Sequence, residues 1–238
     1  TRSSRAHTRS VSPVCNDGAA GDAEAAAVRS SFTTHSAARI FLRKEFVAAS
    51  LVKGNFRQIV ALPKHMDLNE WLAVNILDFF YYTNLFYEAI AEYCTAHDCP
   101  SMSAGSTEYT WTDSKGKSVK LPAPQYVDYF MTWTQSILND QNVFPTKAGE
   151  GVDFPRDFQA TIRTIYKHLL RVIVHMYAAH VHNMEMLNLQ SHINTLFAHL
   201  LCFGREFELI DRRDLAAAGS VAEFVNELDA VHGLNLGR

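Results

Sequence analysis

Apolar side chains crowd the stretch from Asp67 to Cys99, DLNEWLAVNILDFFYYTNLFYEAIAEYCTAHDC, where Leu72, Ile76, Phe79, Phe86, Ile90 and Tyr93 recur at steps of three, four and seven. That is the spacing of a helix face. The 33 residues include no Gly, Pro, Lys or Arg. Asp67 stands three positions before Glu70, as in a capping box, and Met66 and Trp71 occupy the positions of a hydrophobic staple. A helix apolar on nearly every side belongs inside a bundle, so the pattern predicts one long central helix around which the rest packs.

The other elements follow from the same periodicities. Ile40, Phe41, Phe46 and Val47 predict a short helix over 37–51, ending before Gly54. Pro124 opens a helix through Tyr129, Met131, Trp133 and Ile137 to about residue 140. A second long helix is expected over 156–180, a third over 185–207 and a short closing helix over 220–228. Tyr109 and Trp111 alternate with Thr, and a Ser-Lys-Gly turn leads on to Val119 and Leu121, which reads as one small β-hairpin. The segment VFPTKAGEGVDFP, polar between aromatic anchors, is expected to be a surface connection. Residues 1–38, rich in Ser, Thr, Ala and Arg, predict a disordered tail. The class is mainly α: a tail, then a single-domain helical bundle over 39–238 with one hairpin.

Composition narrows the function classes. At 238 residues and 47% hydrophobic the chain can bury one sizeable core. A net charge of -3 argues against bulk nucleic-acid or membrane-surface binding, which demands a basic excess. Asp78, Asn84 and Glu88 interrupt the best apolar run, so no membrane insertion is expected. The signs are segregated. Residues 65–113 carry eight acids and no Lys or Arg, whereas 156–171 carry four basic residues and one acid. Two surfaces with different partners would produce such a division. Four cysteines without a secretory signal fit a reducing compartment, the cytoplasm.

Three constellations could carry chemistry. Cys94, Cys99, His175 and His180 offer two thiolates and two imidazoles, the ligand set of a closed tetrahedral zinc site. A separation of five sets the two histidines about 140° apart on an ideal helix, so one needs a helix end or a distortion to reach a shared metal. Spacing alone leaves a reduced thiol pair and two ordinary histidines as an equal alternative. Cys15 and Cys202 look like bystanders. Arg163, Lys167 and Arg171 form a stripe at i, i+4 and i+8 with His168 beside it, able to hold a phosphate; a solvated helix face is the more frequent explanation of such a stripe. Glu70, Asp78 and Glu88 suit a solvated binding face better than an acid-base pair. There is no Gly-rich phosphate loop, GxSxG or HExxH.

LNEWLAVNILDFF, the CxxxxCP after it, MSAG, EYTW, VFPTK, RVIVHMYAAH, HINTLFAH and LIDRRDL together resemble the Mob family of kinase activators, in register from about Ser50 to Leu228. The resemblance implies a helical bundle with one structural zinc on Cys94, Cys99, His175 and His180, and no enzyme activity. It implies an adaptor for the N-terminal regulatory segment of an NDR/LATS-type AGC kinase, bound through Asp67, Glu70, Trp71, Asp78 and His199. A basic pocket for a phosphothreonine peptide of an upstream kinase or scaffold in Hippo or mitotic-exit signalling falls on Lys167, His168 and Arg171, with His168 where the family usually has Arg. Protonation of His168 would then make binding tighten as pH falls from 8 towards 6. Ser50 matches the family's regulatory Thr, a candidate phosphosite. The implied localisation is cytoplasmic, with the nucleus and division structures as further sites. A zinc hydrolase, or a Mob-like scaffold with another partner, stands as the alternative.

Overall fold

Two short helices, α1 (Lys44–Ala48) and α2 (Phe56–Val60), precede the long α3 (Leu68–Ile90) in the computed structural model, which describes residues 40–113, 115–146 and 153–236. The tail expected over 1–38 lies outside the described residues. Of the helix expected over 37–51, five residues form α1, and Ile40, Phe41, Phe46 and Val47 are all buried as their spacing requires. The α3 helix starts where its cap predicts: Asp67 Oδ1 accepts from the amides of Asn69 and Glu70 at 2.8 and 3.2 Å. Trp71 ties α3 to its neighbour, its indole N–H donating to the Val60 carbonyl at 3.1 Å.

The expected helix to Cys99 stops at Ile90, giving way to a 3-10 turn, Ala91–Tyr93, and a loop. In that loop Thr95 Oγ1 donates to Asp98 at 2.6 Å while accepting from the Asp98 amide, so the chain reverses and both cysteines turn inward. Nor is α3 buried on nearly every side. Leu72, Ile76, Phe79, Thr83, Tyr87 and Ile90 face the core, while Val74, Leu77, Tyr81 and Leu85 are exposed. Phe86 and Tyr93, expected core anchors, are half-buried.

The central position belongs to α5 (Phe158–Met186), the second long helix. Val172, Ile173, Val174, His175, Met176 and Tyr177 are consecutive and all buried, and six consecutive residues sweep every direction around a helix. Packed on it are α3, α4 (Ala123–Leu138), α6 (Gln190–Glu206) and β1. Two hairpins replace the single one expected: β1 (Ser103–Ala104) pairs with β2 (Thr107–Glu108), and β3 (Trp111–Thr112) with β4 (Ser118–Val119), with Trp111 opposite Val119. Helix α7 (Arg212–Ala216) opens on a capping box between Asp211 and Asp214, and α8 (Ala222–His232) follows the 3-10 turn Gly219–Val221. Gly219 has φ 58°, and a Cβ there would lie 2.2 Å from the Ala104 carbonyl oxygen, so only glycine lets this turn close on β1. Phe144 and Phe154 anchor the connection before α5 by packing on Phe158, at ring distances of 5.1 and 4.4 Å.

Asn194, fully buried on α6, accepts from the Tyr177 hydroxyl at 2.7 Å and donates to the carbonyls of Phe46 and Ala49 at 2.6 and 3.0 Å. It thereby ties α6 to α5 and to the α1 segment, giving the Tyr177 hydroxyl and the Ala49 carbonyl a partner and the Phe46 carbonyl a second one beside the Ala49 amide. Asn194→Ala should lower unfolding stability by about 3 kcal/mol, read from urea denaturation, and loosen the α1 segment in hydrogen exchange first.

Candidate metal centre and binding faces

The loop after α3 and the C-terminal part of α5 converge. Cys94, Cys99, His175 and His180 are buried, and their ligand atoms all lie within 4.8 Å of one another. Cys94 Sγ is 3.6 Å from His175 Nε2, and Cys99 Sγ is 3.4 Å from His180 Nε2. Bonds of about 2.3 Å to sulfur and about 2.0–2.1 Å to nitrogen at tetrahedral angles separate S and N by roughly 3.6 Å, so the spacing fits a shared metal ion. The histidine separation is accommodated by the backbone: within α5, His180 has φ -127° and ψ 17°, the distortion that a spacing of five requires. His175 Nδ1–H donates to the Ser103 carbonyl at 2.8 Å, which leaves the Nε2 lone pair facing the centre. Hydrogen bonding from Cys99 and then from the two imidazoles pulls the Cys94 thiol far below its ordinary value, while the same contact to Cys94 pushes Cys99 up. Cys94 is therefore the first of the pair to become a thiolate, the form a metal binds. Tyr87 on α3 is buried beside that sulfur, and burial and then Cys94 push its hydroxyl well above the ordinary value. Around one ion these four protein donors would make a closed centre, of the kind that holds structure.

The basic stripe divides. Lys167 and Arg171 line a cavity of about 220 Å³ with Thr107, Glu108, Tyr109 and Asp214, but Arg163 lies in another cavity with Leu68, Gln159 and Glu206. Lys167 is paired with Asp214 at 3.3 Å. His168 does not line the cavity. Its ring lies among Trp111, Tyr126, Phe130 and Trp133, with centroids 5.0 to 5.9 Å away. Burial, and then the charge of Arg171, push its pKa down to about 3, so it stays neutral at pH 6 to 8 and the pH-dependent affinity expected from its protonation is lost.

Of the residues implied for kinase binding, Asp67 and Asp78 are exposed and Glu70 half-buried, all on the outer side of α3 with Val74, Leu77, Tyr81 and Leu85. Trp71 borders this face with its ring packed against the core. His199 lies on α6 and meets α3 through Phe79 on the helix's buried side, with Phe56 beyond it, at ring distances of 4.9 and 6.3 Å. Burial pushes its pKa down to about 4. Ser50 donates to the Val52 carbonyl at 2.9 Å and lies 3.1 Å from Thr195 Oγ1.

Residues 48–218 match the Mob1/phocein family. The chain belongs to that family. The "Maintenance of ploidy protein mob2" of Schizosaccharomyces pombe is 48% identical over 178 residues, covering 74% of this chain and 72% of the relative. Human "MOB kinase activator 2" is 41% identical over 185 residues, 78% of this chain and 77% of the relative. The "CBK1 kinase activator protein MOB2" of Saccharomyces cerevisiae is 42% identical over 178 residues, 74% of this chain and 61% of the relative.

Several residues of this Mob-family chain escape a reading by residue type. Ser103 contributes a carbonyl, which has no sequence signature, whereas Tyr87 could have been found from its place on the apolar stripe one helical repeat before Cys94. Tyr109 and Asp214 reach the cavity, and Tyr126 reaches the Arg171 that lines it, only through folding. Among the described residues no helix is long and apolar enough to cross a membrane.

Chelation of the metal centre, Cys94→Ser or His175→Ala should lower the melting temperature and release the loop after α3, because binding energy at such a site is folding energy; differential scanning fluorimetry with and without chelator reads the loss. His168 and His199 bind a proton in the unfolded chain near pH 6.5 but in the folded chain only near about 3 and about 4, so between those values the unfolded state takes up more protons. Stability should fall as pH drops from 7 to 5, by up to about 2 kcal/mol for each histidine. Urea midpoints at the two pH values check this, and His199→Gln should remove its own share of the difference.

Proposed function

We propose that this protein is a non-catalytic kinase co-activator that holds the N-terminal regulatory segment of an NDR/LATS-type AGC kinase on the outer face of α3. The observation that carries this reading is that face: Val74, Leu77, Tyr81 and Leu85 stand exposed in one row, flanked by Asp67, Glu70, Asp78 and Glu88. With no Lys or Arg anywhere in 65–113, the row sits in negative potential and suits a basic amphipathic helix. The names of the human and budding-yeast relatives, both kinase activators, support the partner class.

Zinc is the metal the donor set favours, since two thiolates and two imidazoles in a closed tetrahedron are its structural site. It fastens the loop after α3 to α5 and so backs the kinase face. The Lys167 and Arg171 cavity is our candidate for a phosphothreonine peptide of an upstream kinase or scaffold in Hippo or mitotic-exit signalling. A phosphate on Ser50 would not fit its present contacts with Val52 and Thr195, so modification there would loosen the segment between α1 and α2. We place this activity in the cytoplasm, extending to the nucleus and division structures.

Binding of such a kinase segment, followed by stopped-flow fluorescence, tests the face. Asp78→Lys should slow association and flatten its salt dependence. Tyr81→Ala and Leu85→Ala should instead speed dissociation, by about 1–2 kcal/mol each if these side chains are anchors. Trp71→Ala is a poor probe, because the indole also holds Val60. Identical rates at low and high salt, unmoved by all three substitutions, would place the partner elsewhere or make it a different protein.

A further inference from the structure

We infer that His168 is a positioning residue for the candidate anion cavity: acting through the Tyr126 hydroxyl, it fixes the Arg171 guanidinium at the cavity wall. The choice of a phosphothreonine ligand rests on the function proposed above; the relay rests on geometry alone. Arginine can only donate, so the 3.0 Å contact from Arg171 Nη1 uses the Tyr126 oxygen as acceptor. Tyr126 is fully buried, and its own proton is directed to His168 Nδ1, 2.7 Å away. A buried hydroxyl donates where an acceptor is within reach. His168 Nδ1 therefore carries a lone pair, which makes the ring the neutral Nε2–H tautomer.

The surroundings favour that state. Trp111, Phe130 and Trp133 fix the plane of the imidazole and carry no ionisable group, and burial beside a guanidinium holds the ring neutral across the physiological range. On its other side Arg171 Cζ stands 5.3 Å over the Tyr109 ring, and the Tyr109 hydroxyl in turn donates to the Ala217 carbonyl. Among the described residues no carboxylate pairs with Arg171, whereas Lys167 is already engaged by Asp214. An anion entering the cavity thus meets Arg171 as its held, uncompensated donor. Holding it in advance reduces the entropy lost on binding. His168 thus adds no charge to the cavity, and instead orients the charge of Arg171.

The full chain, labelled with 15N-arginine, tests this by NMR. Arg171 Nη–H signals should show hindered rotation in the native protein and in His168→Asn, whose Oδ1 replaces the Nδ1 acceptor. They should be averaged in His168→Phe and Tyr126→Phe. Against a peptide pool degenerate around one phosphothreonine, each Phe variant should bind roughly three- to tenfold more weakly. The double variant should lose no more than either single one, because both cut the same chain, and His168→Asn should recover affinity. Loss of melting temperature without these changes would mean that His168 only packs, and would overturn the inference. So would an Arg171 equally mobile in native and His168→Phe proteins, or independent losses in the double variant. Hindered Arg171 rotation that depends on His168, without peptide binding by the native chain, would uphold the positioning role and refute the phosphopeptide reading alone.

Discussion

Two histidines five residues apart on one helix must reach a single point, and most of the local architecture answers to that requirement. The α5 backbone departs from helical geometry at His180, and the loop after α3 leaves its helix early so that Cys94 and Cys99 can meet the imidazoles. Once His175 is turned to the centre its other nitrogen needs a partner, which the Ser103 carbonyl of β1 supplies. The first hairpin is thereby pinned to α5, and Gly219 brings the C-terminal segment onto the same strand. Four stretches far apart in the chain meet at one set of potential metal ligands and the groups around them.

Placing α5 at the centre displaces α3 to the outside. A helix with more apolar residues than one stripe can bury then shows the excess to solvent. A monomer gains nothing from such a row, and contiguous exposed apolar surface rimmed by polar groups commonly marks an interaction site. Carboxylates along the same side keep the row soluble and would favour a basic partner. The surplus hydrophobicity that reads as deep burial is thus partly an exposed row, the one on which the proposed kinase contact rests.

Several side chains exchange roles between sequence and structure. His168 and Trp71 look like recognition residues by motif, yet both are engaged inside the fold, one among aromatic rings and the other on the Val60 carbonyl. Tyr126 and Asp214 look like ordinary helix residues, yet they govern the charges of the cavity: Tyr126 holds Arg171, and Asp214 offsets Lys167. Charge at a site depends on which neighbours fold against it, and helix spacing sees only neighbours on the same helix.

The sequence by itself determined the mostly helical class, the start of α3 at Asp67, the four metal ligands as an available set and the segregation of charge, because capping, periodicity and donor chemistry are local properties of residue type. The family motifs favoured the metal reading that spacing left open, and the fold brings those four side chains within reach of one ion. Tertiary structure alone decided that α5 rather than α3 is central, that there are two hairpins, that Arg163 leaves the stripe and that His168 turns away from the cavity. Each of those outcomes depends on which of two apolar helices wins the interior and on contacts between residues tens of positions apart, and periodicity along one segment carries no record of either.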